Sequence, residues 1–424
     1  MAEVKELITD NIDIWTSAVK RKSSSGRGSG KKVELYGVKK LRELILDFAV
    51  RGLLVPQNAN DEPASVLLER IAVEKNKQQS SNRKKSRKLP NLDPDERLIR
   101  QPAGWGETRL GEIIRVINGR AYKKHEMLQE GTPLLRVGNL FTSKEWYYSD
   151  LELEVDKYID NGDLIYAWSA SFGPFLWEGG IAIYHYHIWK MEFYSPGDCD
   201  KYYFKLYLQA VSAAIKASGS GIAMIHMTKD KMEKLVLPIP PLQEQHRIVA
   251  KVDELMALCD QLEQQTEACL TAHQTLVKTL LDALTQAATQ QSKNENTTAS
   301  ASTPFEQAWQ RLAEHFDTVF TTEDSIDQLK QTILQLAVMG KLVPQDPNDE
   351  PASELLKRIA VEKAELVEAK KIKKQKALPE ITDDEKPFDL PAGWRWARVG
   401  DVLSLNMVTL SKALILLNTR HLMY

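Results

Sequence analysis

The sequence is poor in the features that most often announce a function. Its 424 residues hold three cysteines and no C-x-x-C pair, which argues against a disulfide framework or a structural zinc site and fits a reducing cytoplasm. No apolar run approaches the ~18 residues of a membrane span. The opening MAEVKELITDN lacks the layout of a signal peptide. Net charge is only −2, so any nucleic-acid contact must rest on a local patch. Catalytic signatures are missing as well. There is no NPPY-like methyltransferase motif, no glycine-rich cofactor loop after a strand, and no PD…ExK nuclease pattern. Residues 23–32 (SSSGRGSGKK) imitate a phosphate loop, but the pattern needs Gly at 25 and Ser or Thr at 32, where Ser25 and Lys32 stand. The segment reads as a Gly/Ser linker.

What is present begins with a long helix. Leu242 to about Ala288 follows Pro240-Pro241 and contains no glycine or proline. A stripe recurs at spacings of four and three: Ile248, Val252, Leu255, Cys259, Leu262, Thr266, Cys269, His273, Leu276, Leu280, Ala283, Ala287. That spacing predicts a coiled-coil helix, a rod of roughly 65–70 Å. Ile248, Val252, Leu255, Leu262, Leu276 and Leu280 are its expected docking positions. Such a stripe needs a partner, from Thr303–Phe320 and Ser325–Val338 or from a second copy of the chain. An ordinary bundle helix is the plainer alternative.

The second feature is a duplication. Leu41–Lys75 aligns with Leu329–Lys363 without a gap, and both copies contain LVPQ and NDEPAS. The likeness resumes between 88–114 and 377–403, each with a PAGW step. Copies this far apart suit two pseudo-symmetric halves better than a solenoid. The expected division is an N-terminal helix and linker (1–35), a helical repeat unit with a basic linker (36–88), an α+β domain (89–240), the long helix (241–289), a polar linker (290–303), helices with the second repeat unit (304–376), and the start of a second globular domain (377–424). The α+β class rests on runs such as TPLLRVGNL, GDLIYAWSA and IAIYHYHIWKM beside the helical Tyr202–Ala217. After Leu403 too few residues follow for a second domain, so a truncated one is expected.

Binding candidates are sparse. Arg115, Arg120, Lys123, Lys124, His125 and Arg136 lie close in sequence, with Tyr122 and Asn139 among them. These are residue types that contact phosphates and base edges. His185 and His187 alternate on an expected strand, a spacing that can ligate a metal, but nothing completes the set, and a packed strand face is the better reading. The lysine runs at 75–88 and 370–374 suit either phosphate contact or a solvated linker.

Taken together, GRAYKKHE (119–126), GTPLLRVGNL (131–140), GDLIYAWSASFGPFLW (162–177), AIYHYHIWKM (182–191), HMTKDKMEKLVLPIPPLQEQHRIVAKVDELMALCDQLE (226–263) and the paired VPQ…NDEPAS repeats resemble the specificity (S) subunits of type I restriction-modification systems. The resemblance implies a non-catalytic DNA-recognition subunit. Its target-recognition domain would read half of a bipartite double-stranded site. Its helices would space the half-sites and dock methyltransferase (M) subunits, which carry S-adenosylmethionine. Restriction (R) subunits would bring ATP and Mg. It also implies DNA contacts from Arg120, Tyr122, Lys123, Lys124, Arg136 and Asn139, from Trp168, Ser169 and Ser171, and from Ser220, His226 and Lys229. Trp168 would stack on a base, or else pack in the core. Self-pairing of two chains through the coiled coil, and an inert scaffold that sequesters M subunits, are further readings. A self-sufficient nuclease or methyltransferase fits poorly with the missing motifs.

Overall fold

The structure, a computed structural model, describes residues 10–21, 33–81, 89–93, 102–169, 171–218, 227–291, 303–343, 345–373, 376 and 378–403. Contacts divide the chain into two compact units, Met1–Thr266 and Glu267–Tyr424.

The first unit opens with α1 (Ile12–Ser17) and an antiparallel ribbon of β1 (Lys20–Arg21) and β2 (Val33–Glu34). Helix α2 (Tyr36–Val50) buries Val38, Leu41, Ile45 and Ala49, a stripe at helical spacing. It stops where Gly52 takes a left-handed φ of 68°. There Leu53 N donates to Phe48 O at 2.9 Å, the long closing bond of a glycine-capped helix end. Helix α3 (Ala64–Ser81) starts directly after Pro63, whose fixed φ suits a helix entry.

The α+β region follows. Strand β3 (Gly106–Arg109), the single turn α4 (Leu110–Ile113), β4 (Ile114–Asn118), β5 (Thr132–Leu135), the short α5 (Val137–Phe141), β6 (Tyr147–Ser149) and β7 (Tyr158–Ile159) come first. Then come β8 (Leu164–Ser169), β9 (Ser171–Leu176), β10 (Ala182–Tyr184), β11 (Ile188–Phe193), α6 (Lys201–Ser218), α7 (Lys229–Glu233) and β12 (Val236–Ile239). Two four-stranded sheets result, in the orders β6-β5-β10-β7 and β4-β11-β8-β9, and β12 pairs with β3. All neighbours are antiparallel except β10 and β5. On β10, Ala182 and Tyr184 join one apolar cluster and Ile183 another. Its period-2 alternation is thus buried on both faces. Tyr203 and Tyr207 of α6 donate their hydroxyls to Pro238 O and Val236 O of β12, which satisfies polar tips that burial would otherwise leave unpaired.

Helix α8 (Leu242–Gln291) is 50 residues long, roughly 75 Å at the α-helical rise. Its start is tied to three places. Gln245 donates to Pro240 O and accepts from Asp200 N. Glu244 accepts from Gln57 Nε2 at 3.1 Å. Arg247 pairs with Asp61 at 2.6 Å. Farther along, Arg42 of α2 bridges Asp260 and Glu263 at 2.6 and 2.8 Å. Residues 57–61 meet 244–247 while residue 42 meets 260–263, so α2 and this half of α8 run antiparallel.

Ile248, Val252, Leu255, Cys259 and Leu262 are buried, as the heptad stripe expects. The stripe then slips. Buried or half-buried positions continue as Thr266, Leu270, His273, Val277, Leu281, Leu284 and Ala288. Between Leu262 and His273 the spacing is four, four, three, an eleven-residue step rather than heptads. A straight α-helix turns 100° per residue, so a strict 3.5 repeat drifts off its face unless the helices supercoil, and an eleven-residue step corrects the drift. Leu276, expected on the seam, is 50% exposed, and Val277 is fully buried in its place. Cys269 is exposed and Leu280 half-buried.

In the second unit α9 (Pro304–Glu314), the turn α10 (Phe316–Val319) and α11 (Glu323–Val338) cover this second stripe. Thr303 and Glu306 form the expected capping box. His273 Nε2 meets Val319 O at 2.9 Å. Helix α12 (Ala352–Glu368) and the turn α13 (Val399–Val402) complete the second repeat copy. The copies share their local bonds. Lys75 donates to Gly111 O and Lys363 to Gly400 O; Arg109 donates to Pro90 O and Arg398 to Pro379 O.

The slip is testable by urea denaturation. Val277→Ala is expected to cost about 1–3 kcal/mol, and Leu276→Ala less than about 0.5 kcal/mol. Equal losses would restore the unbroken heptad.

Candidate nucleic-acid interface

The run AIYHYHIWKM is not one strand. Strand β10 ends at Tyr184 and β11 begins at Ile188. Between them Ile188 N donates to His185 O at 2.9 Å, a turn that carries the chain from one sheet to the other. His185 and His187 therefore do not share a strand face as the alternation suggested. Periodicity alone misses a turn of this kind because none of His185, Tyr186 or His187 is a usual turn residue.

This turn is the joint of the site. Arg120 N donates to Tyr184 O at 3.1 Å and Tyr186 N to Arg120 O at 3.0 Å. His185 N donates to Leu135 O at 2.9 Å, and Trp168 N to His187 O at 3.1 Å. Main-chain bonds thus draw together the ends of β4, β5 and β8. Gly119 makes the closest approach: a Cβ there would stand 2.4 Å from both Tyr184 O and His185 O. No other residue fits without moving the turn.

Side chains radiate from the joint. Trp168 stacks on Trp189 with centroids 5.6 Å apart, and Trp189 in turn on Tyr166 at 6.0 Å. The indole N–H of Trp168 donates to Tyr186 O at 3.0 Å. His187 meets the Trp168 ring edge-on at 5.0 Å, and Tyr186 stands 39% exposed. Burial, with His187 and Arg136 adding to it, pushes His185 down to about 4, and burial lowers His187 too. At neutral pH both rings are therefore uncharged, each with one donor and one acceptor nitrogen. Sequence reasoning passed over Tyr186. The signal was its place between two histidines in an aromatic run.

The candidates named from sequence fall into three groups. Lys123 and Lys124 are exposed on a 3-10 turn, and neither side chain forms an ion pair with a described residue. Arg136 is exposed, its guanidinium 5.1 Å from the Tyr147 ring centroid. Ser169 is half-buried at the end of β8. These can meet a ligand as they stand. A second group already serves the fold. Arg120 grips Glu126 with two bonds, at 3.1 and 2.7 Å, and lies over the Tyr122 ring. That grip and the Lys123 N–H hold the Glu126 carboxyl down at about 2. Tyr122 is buried, which pushes its phenol up to about 12. Asn139 accepts from Arg136 N and donates to Glu145 O, fixing the start of α5. Trp168 belongs mainly to the aromatic stack, and Lys229 lies 3.5 Å from Glu233. The third group, Ser220, His226 and the side chain of Ser171, lies outside the described residues.

Among the described residues no three His, Cys, Asp or Glu side chains converge as a metal site would require. No helix among them is long and apolar enough to cross a membrane.

Residues 102–272 match the type I restriction modification DNA specificity domain. The chain is 44% identical to the type I restriction enzyme EcoAI specificity subunit of Escherichia coli, over 94% of this chain and 68% of that protein. It is 41% identical to the EcoEI specificity subunit of the same organism, over 95% of this chain and 68% of that one. The crystal structure of the HsdS subunit from Thermoanaerobacter tengcongensis aligns at a TM-score of 0.32 and 17% identity, over 60% of this chain and 62% of that one. That likeness is too slight to carry weight. Identity of 44% along nearly the whole chain is enough to say that it belongs to the specificity subunits of type I restriction enzymes.

Proposed function

We propose that this chain reads one half of a bipartite double-stranded DNA target through the domain at 89–240. Membership of the specificity-subunit family is the observation that carries the reading. The joint at Gly119, Arg120 and His185–His187 supports it. It presents exposed Lys123, Lys124 and Arg136 beside uncharged imidazoles and an exposed tyrosine. The cations suit phosphates, which position a protein without reading sequence. His187 offers a donor and an acceptor nitrogen and Tyr186 a hydroxyl, groups that can read base edges in a groove. Trp168 supports them from beneath.

In this reading α8 acts as a spacer. A stiff helix sets both the separation and the rotational phase at which half-sites are met. The exposed faces of α8 and of the repeat helices dock methyltransferase subunits. Chemistry belongs to the partners: S-adenosylmethionine with the methyltransferase subunits, ATP and Mg with the restriction subunits. This chain binds no cofactor, performs no catalysis of its own, and acts in the cytoplasm with them.

Methylome sequencing of a host carrying this chain and its methyltransferase partner is expected to reveal a new split adenine-methylated motif. An unchanged methylome would point instead to an inert scaffold. Lys123→Ala with Lys124→Ala is expected to weaken binding to all sequences and to flatten the slope of log K against log salt by about 2. Tyr186→Ala should leave that slope alone and cost about 1–3 kcal/mol on the cognate site only, as the loss of a base-edge contact would. If the lysine pair left the slope intact, those residues would drop from the contact surface.

A further inference from the structure

The two repeat copies fold alike but are not covered alike. Ala64 N donates to Gly104 O at 2.9 Å, and its counterpart Ala352 N to Gly393 O at 2.8 Å. Gln57 Nε2 donates to Gly52 O, and Gln345 Nε2 to Gly340 O. Arg70 pairs with Glu62, and Arg358 with Glu350. Each copy thereby builds the same cradle, floored by a left-handed glycine with φ of 80° at Gly104 and 84° at Gly393.

The first cradle is filled by the start of α8. The Pro241 ring lies over Gly104, its Cγ 3.5 Å from where a Cβ would stand. Glu244 accepts from Gln57, and Arg247 pairs with Asp61. Among the described residues the second cradle is open, and beyond its chain neighbours nothing comes within 4 Å of where a Cβ on Gly393 would stand. A cavity of about 640 Å³ is lined by Gln345, Asp349, Leu355, Gly393 and Trp394. The walls differ accordingly: Val55 is 6% exposed and Val343 66%, Leu67 1% and Leu355 46%, Trp105 8% and Trp394 39%.

We propose that the second cradle is a docking site for a helix opening Pro-Pro-x-x-Glu-Gln-x-Arg, presented by a partner polypeptide. The filled cradle supplies the recognition chemistry. A proline ring sits over Gly393 as the Pro241 ring sits over Gly104, and both glycines hold the left-handed φ that favours the residue. The carboxylate accepts from Gln345 Nε2, because Trp394 Nε1 already donates to Gln345 Oε1 at 3.0 Å. The arginine pairs with Asp349, which stands exposed at the position of Asp61. The apolar side of the helix covers Leu355 and Trp394 of the cavity wall and the exposed Val343, apolar surface of the sort that marks an interface. The first cradle does not compete for the same partner, because its occupant is tethered in the same chain. This proposal is independent of the DNA reading.

The test uses the full chain and a fluorescent synthetic peptide with the sequence of residues 238–258, followed by anisotropy. Saturable binding is expected. Asp349→Arg should weaken it about tenfold or more, and a peptide bearing Arg247→Asp should restore it by reversing the pair. Asp61→Arg in the chain should leave it unchanged. Asp349 is exposed, so an unaltered circular dichroism melt is expected to confirm that its variant folds. Absence of binding at millimolar peptide would overturn the proposal. So would binding that is lost with Asp61→Arg yet indifferent to Asp349→Arg, because that pattern means exchange at the first cradle.

Discussion

A helix of 50 residues with apolar stripes must be covered along its length, and that constraint shapes the rest of the structure. Propensity alone leaves even good helices marginal in water, so tertiary burial must supply the stability. Here it is supplied twice over. The half before Thr266 buries Ile248 through Leu262, and the half after it buries Val277 through Ala288. The eleven-residue step between Leu262 and His273 lets each half present its stripe to its own cover. Neither half then needs the underwound seam of a long coiled coil.

The same constraint explains why PPLQEQHR is so distinctive a string. A long helix transmits any error in its entry angle to its far end. Gln245 fixes that angle against Pro240 and the Asp200 backbone, while Glu244 and Arg247 fix it against the first repeat copy. Each of these three polar residues has a partner, but among the described residues Glu244 Oε2 is buried without one, and burial pushes the Glu244 carboxyl upward. Polar groups buried with incomplete partners are costly, so the junction tolerates few alternatives.

Much of this was legible in the sequence. Gly52 as a helix stop, the Thr303 capping box and the α+β class follow from local rules about residues a few positions apart, and the duplication follows from comparing the sequence with itself. The failures are of another kind. Leu276 was placed on the seam because a heptad is an assumption about the partner, and the partner decides the phase. The turn at His185–His187 was hidden because long-range main-chain bonds to Arg120 and Leu135 hold it, not turn-forming residues. Arg120, Tyr122 and Asn139 have the right chemistry for DNA, and the sequence did not show that they also bond to Glu126, pack in the interior and hold Glu145 O. Residue type shows what a side chain can do; only its neighbours show whether it is free to do it.

The joint around Gly119 has one more consequence. Its bonds run between backbone groups: Arg120 with Tyr184 and Tyr186, His185 with Leu135, Trp168 with His187. Apart from the glycine itself, none of these bonds depends on which side chain each position carries. The outward-facing residues can therefore be exchanged while the scaffold beneath them holds its shape. On the proposed reading of this face, such a protein can drift from one target to another through single substitutions at its exposed positions. On that reading its specificity is evolvable because its framework ignores the letters it displays.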